Sequence, residues 1–133
     1  MRGLTAFFAA VCIFTWLGPA AAGDGHTYRP YKLTKNEQKI VKFAVAMQLK
    51  DPGSPVFGNM GASISDVGVV QVCGTVNAKN GYGAYTGLAP YLGVLVTSGA
   101  GNRVFAVNAI GDGGENSAVA VITICQMRGI GQF

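Results

Sequence analysis

Apolar positions follow three different patterns along the chain. Leu4 to Leu17 is a run free of charge, preceded by Met1-Arg2 and followed by Gly18-Pro19 and Ala20-Ala21-Ala22. A positive start, a short apolar centre and an A-x-A site predict a signal peptide over 1–22. A spanning helix needs about 20 apolar residues, and this run stops short at a helix-breaking Gly-Pro pair. Residues 23–33, GDGHTYRPYKL, have no period and read as an exposed lead-in.

From Thr34 the period becomes helical. Thr34 and Glu37 have the spacing of a capping box, in which the threonine oxygen takes the N3 amide and the glutamate reaches back. Ile40, Phe43, Ala44 and Met47 share one face flanked by Val41 and Val45, and are expected to be buried. Lys35, Lys39, Lys42 and Lys50 cluster opposite them. Asp51-Pro52 is the expected stop, because proline disfavours helical backbone in the residue before it.

Beyond Val69 the period is two, with β-branched residues between clusters of glycine and asparagine. Strands are expected at 69–78, 84–96, 103–110 and 117–127, with a further short one near Val56 and Phe57. Asn80-Gly81 predicts a two-residue type I′ turn with Lys79 opposite Tyr82. In that register Val76, Gly74 and Val72 face Tyr85, Gly87 and Ala89 on the core side, and the paired glycines leave a notch for Phe43 or Met47. A helix followed by a run of strands gives an α+β fold: one N-terminal amphipathic helix packed on a twisted, mainly antiparallel sheet of about four strands, in a single domain over 34–133.

Composition narrows the class. The chain has 133 residues with 20 glycines and 12% charged residues. No tripeptide period accompanies the glycine, which excludes collagen, and the aliphatic content excludes disorder. The net charge is +4, and residues 23–50 carry the excess, with Arg29, Lys32, Lys35, Lys39, Lys42 and Lys50 against Asp24 and Glu37. Of the three cysteines, Cys12 leaves with the leader. Cys73 and Cys125 remain as an even pair, which in an exported chain predicts a disulfide. A bond from the first clear strand to the last argues against an open meander with those strands at opposite edges.

Candidate chemistry is sparse. His26, the single histidine, lies in the lead-in, away from any scaffold for Ser-His-Asp or Cys-His catalysis. Cleavage after Gly23 would expose Asp24-Gly25-His26, a terminal Cu(II) or Ni(II) motif, whereas cleavage after Ala22 removes it. Gly111 to Asn116 lacks both EF-hand and P-loop spacing, and Gly81 to Gly87 opens no helix. Asp51, Asp66, Asp112 and Glu115 all lie in turn-like segments, where such residues serve local backbone bonding. No catalytic residue, metal or cofactor is therefore expected. The lysine face, Lys35, Lys39, Lys42 and Lys50, suits anionic lipid or lipopolysaccharide, against the plainer reading of a solvated helix side. The hairpin tip, Asn77, Lys79, Asn80 and Tyr82, is a candidate recognition surface, against the plainer reading that it shapes the turn. Export argues against nucleic acid.

LKDPGSPVF (49–57), CGTVNAKNGYGAYTGLAPY (73–91) and TICQM (123–127) carry a family likeness. With its CG-x-VNAKN-x-x-G-x-Y-x-G portion, the chain resembles a group of small exported proteins of proteobacteria and their phages over residues 35 to 128. Ala84 stands where that group's pattern has a second glycine. The resemblance implies bacterial export and one compact domain, and no reaction. The expectation is a periplasmic or secreted, non-catalytic binding or accessory module of the envelope, with an envelope or extracellular protein as partner and no membrane anchor after cleavage. The alternative is a cationic binder of anionic surfaces.

Overall fold

The computed structural model describes residues 25–111 and 115–133. The expected leader, Asp24 and part of the Gly111–Asn116 loop lie outside them. Seven elements follow in order: β1 (Tyr28–Pro30), α1 (Lys35–Ala46), β2 (Val56–Ser65), β3 (Val70–Lys79), β4 (Tyr85–Thr97), β5 (Arg103–Ile110) and α2 (Glu115–Met127). The strands form one antiparallel sheet in sequence order, β1-β2-β3-β4-β5. The α+β class is as expected, but the described residues form a sheet of five strands and two helices.

Three consecutive hairpins use one loop. In Ser65–Val69, Asn80–Ala84 and Ser98–Asn102, the first N–H donates to the fifth carbonyl and the fourth N–H donates to the first carbonyl. The fourth residue is each time a glycine with positive φ: Gly68, Gly83 and Gly101. This is a type I turn closed by a left-handed glycine, the usual three-residue hairpin. It corrects the predicted type I′ turn, because the left-handed residue is Gly83 rather than Gly81.

The longer loop moves the register. Lys79 pairs with Tyr85, and beyond a bulge Asn77 pairs with Leu88, Val76 with Ala89 and Gly74 with Tyr91. Relative to the expected pairing the strand slides by an even number of residues, so parity is kept and Val72, Gly74 and Val76 still face the core. Tyr85, expected inside, is instead half exposed.

One side of the sheet packs on α1. Val70, Val72, Val76, Tyr91, Leu95 and Phe105 form a buried cluster with Leu33, Val41 and Val45. A Cβ at Gly74 would overlap the Tyr91 hydroxyl, and one at Gly93 would overlap the Phe105 ring. The notch in the sheet is therefore filled by aromatic side chains of the sheet itself, not by Phe43 or Met47. Phe57 meets Tyr91 edge to face, with centroids 6.4 Å apart. Burial pushes the Tyr91 hydroxyl above the ordinary phenol range.

The opposite side packs on α2, where Cys73, Leu92, Val121, Cys125 and Ile130 form a second cluster. Residues 117–127, expected to be a strand, are helical. Gly129 has φ +75°, and the Ile130 and Gly129 N–H groups donate to the Cys125 and Gln126 carbonyls. That is a Schellman cap, with Ile130 packed beside Cys125 as such caps favour. Cys73 and Cys125 form the expected disulfide, with Cα atoms 6.2 Å apart. It ties a helix to the face of the sheet, which is why an open meander is compatible with it.

Candidate functional site

The capping box of α1 is present: the Glu37 N–H donates to Thr34 Oγ1 (3.2 Å) and the Thr34 N–H donates to Glu37 Oε2 (2.9 Å). Its glutamate also receives the Tyr31 hydroxyl at 3.1 Å and pairs with Arg103 at the start of β5, 3.2 Å away. Glu37 is buried, which opposes its ionisation. Hydrogen bonds from the Thr34 backbone, the Thr34 hydroxyl and the Tyr31 hydroxyl, with the charge of Arg103, outweigh this and hold the carboxyl below its ordinary range. The segment expected to be an exposed lead-in is part of the anchor. Tyr28–Pro30 pairs with β2 at the sheet edge, where a proline without an N–H is tolerated, and Leu33 enters the core.

That anchor fixes the rotation of α1. Val41 and Val45 are fully buried, while Phe43 is 69% and Met47 57% exposed. The expected buried face is thus corrected by roughly one residue's turn, about 100°. Lys35, Lys39, Lys42 and Lys50 are all exposed, as expected of them. Lys35, Lys39, Phe43 and Met47 are spaced i, i+4, i+8 and i+12, so they form one continuous ridge. Lys42 lies over the Phe57 ring, 5.8 Å from its centroid. The two ion pairs among the described residues, His26–Asp66 and Arg103–Glu37, use none of these lysines.

The hairpin tip divides. Asn80 Oδ1 accepts from the Tyr82 and Ala84 N–H groups (2.9 and 3.2 Å), and Asn77 Oδ1 accepts from the Gly87 N–H (3.0 Å). Both asparagines hold backbone. The Lys79 ammonium sits 5.4 Å from the Tyr85 ring centroid, and the Tyr85 hydroxyl donates to the Ser54 carbonyl. Tyr82 alone projects, 98% exposed. In the CG-x-VNAKN-x-x-G-x-Y-x-G stretch, then, Cys73 is bonded, Gly74 lies under Tyr91, Val76 is core, and Asn77, Asn80 and Gly83 shape the hairpin.

Beside the C-terminal end of α1 a cleft of about 590 Å³ opens between Gln48–Lys50, the β3–β4 hairpin, the end of β5 and Ala118 of α2. Its floor is apolar, with Leu49, Val76, Ala89 and Ile110, and Lys50 and Lys79 stand among its lining. β5 ends opposite Tyr91, so β4 from Tyr85 to Pro90 has no strand on that side. Periodicity could not show this cleft, because it arises where one strand stops before its neighbour.

No group of three or more metal-binding side chains occurs among the described residues, and none of the described helices is long and apolar enough to cross a membrane. No protein-family model matches the chain, and neither a curated protein nor a solved structure matches it.

Proposed function

We propose that this is an exported, non-catalytic binding module of the bacterial envelope that attaches to anionic amphiphile surfaces through the outer ridge of α1. The carrying observation is the exposure of Phe43 and Met47 in line with Lys35 and Lys39. A merely solvated helix side has no reason to hold a phenylalanine and a methionine in water beside its cations. A surface that docks on anionic lipid needs both: ammonium groups for the headgroups and apolar side chains to enter the acyl boundary. The cleft beyond Met47 extends the same chemistry, with an apolar floor and Lys50 and Lys79 in its lining. The disulfide supports export, since such bonds persist in oxidising compartments.

Co-sedimentation with vesicles tests the reading. Binding to vesicles containing phosphatidylglycerol is expected, with little binding to pure phosphatidylcholine. It should weaken as salt rises and the Debye length shrinks to about 3 Å at 1 M. Phe43→Ser with Met47→Ser should weaken it about tenfold or more, the loss expected for keeping two apolar side chains out of the acyl boundary. Absence of binding to anionic vesicles at low salt would refute the reading, as would binding that neither salt nor these changes affect.

A further inference from the structure

α2 has no charged residue between Glu115, its first, and Arg128, just beyond its last. A surface helix ordinarily carries a polar outer face, and a helix apolar all round is ordinarily covered on every side. Among its described side chains, from Ser117 on, only Val121 and Cys125 are fully covered, while Val119 and Met127 are more than half exposed, and Ala120, Thr123 and Ile124 are exposed as well. Val119, Thr123 and Met127 form one i, i+4 row, with Ala120 and Ile124 as the next. Two such rows are the ridges that interdigitate when helices pack at a crossing of about −50°. The same side of the sheet continues the apolar surface where α2 leaves it open: Val96 and Val104, cross-strand partners, are both exposed.

We infer that this face is covered by a second copy of the chain, α2 against α2 about a two-fold axis. Charge selects that occupant. Once Arg2 leaves with the expected leader each copy carries a net +3, and most of its cations gather on the other side of the sheet. Arg29 pairs with Ile64 of the α1 cluster, Arg103 bonds Glu37, and Lys35, Lys39 and Lys42 stand on α1 itself, with Lys50 just past its end. The outer face of α2 is where two identical cationic bodies meet without bringing like charges together. A membrane is the poorer occupant, because an interfacial helix pairs its apolar face with cations at its flanks. The one arginine near α2 is engaged, its guanidinium donating to Gln71 Oε1 at 2.7 Å. A two-fold axis makes the contact self-complementary and closes the assembly at two. Since α1 and α2 lie on opposite faces of the sheet, the dimer carries its two lysine ridges on its outer sides. The dimer itself does not depend on what those ridges bind.

Sedimentation equilibrium of the whole protein between about 1 and 300 μM tests this, since contacts of small area associate weakly. The expected result is a monomer–dimer equilibrium in the micromolar range. Thr123→Lys, at the centre of the outer face, should raise the dissociation constant about 100-fold, because it puts two unpaired charges into the contact. Its circular dichroism should match the parent, and Lys39→Glu on α1 should leave the equilibrium unchanged. A monomer throughout the range overturns the inference, as does a dimer indifferent to Thr123→Lys. Parent protein that stays monomeric but binds pure phosphatidylcholine vesicles, and loses that binding on Thr123→Lys, would make a membrane the occupant and overturn it too.

Discussion

The two helices cover opposite faces of one sheet and are held there by different means. α1 is fixed by side chains: a capping box, a buried glutamate shared among Thr34, Tyr31 and Arg103, and two buried valines. Among its described side chains α2 buries little more than Val121 and Cys125, and it is held to the sheet by a covalent bond. Their outer faces differ in the same sense, cationic with two bulky apolar residues on α1 and uncharged on α2. An element anchored by its own packing has its outside left for ionic work, whereas one anchored by a disulfide can leave an apolar outside for another body.

The largest test of this contrast removes the covalent anchor. Cys73→Ser with Cys125→Ser should destabilise the protein by about 4 kcal/mol in denaturant titrations, the loop-closure entropy of a separation of 52 residues. Hydrogen exchange should show α2 amides losing protection well before those of α1. Equal loss in both helices would mean that the disulfide supports the whole fold evenly. Next in size is Gly74→Val, which drives a side chain into the Tyr91 ring under α1. Overpacking of this kind costs about 3 kcal/mol, and an unchanged melting temperature would contradict the register of β3 on β4.

Glu37→Ala should cost about 1–2 kcal/mol, since it removes the capping partner and leaves Arg103, on a partly exposed site, with only the Thr97 hydroxyl. Acid should act through the same group. The Glu37 pKa is lower folded than unfolded, so its contribution is complete above the ordinary glutamate value of 4.5 and is lost as pH falls through the lowered folded value. Stability measured down from neutral pH should therefore decline in that acid range, and Glu37→Gln should flatten the decline. A decline unaltered by Glu37→Gln would place the acid sensitivity elsewhere. The smallest effect belongs to Phe43→Ser with Met47→Ser, within about 0.5 kcal/mol in thermal melts, because both side chains are already mostly in water. A larger loss would mean that the ridge is part of the core.

How much of this was legible in the chain differs between the same two helices. Thr34 and Glu37 announce α1 through local bonding, which is why its start was readable. Its rotation was not, since Ile40, Val41, Ala44 and Val45 form an apolar arc wider than the contact, and Tyr31 and Arg103, outside the helix, choose which part is buried. α2 reads as a strand because Val119, Val121, Ile122, Thr123 and Ile124 are β-branched and tertiary packing overrides that preference. The signal that could have found it is Arg128-Gly129-Ile130, a glycine stop followed by an apolar residue. In the hairpin, Asn80-Gly81 drew attention to the wrong glycine, and the asparagine's own side-chain bonds selected Gly83. Among the site residues, the exposure of the lysines followed from their clustering, whereas that of Phe43 and Met47 required the rotation of α1.

Indole fluorescence at matched positions on the two outer faces tests the division of labour most directly. Trp16, the chain's single tryptophan, lies in the expected leader and is lost from the exported protein, so Phe43→Trp and Thr123→Trp each place its only indole on one helix. On addition of phosphatidylglycerol vesicles the emission at position 43 should move to shorter wavelength while that at 123 stays where it is. A shift at 123 with none at 43 would contradict the account.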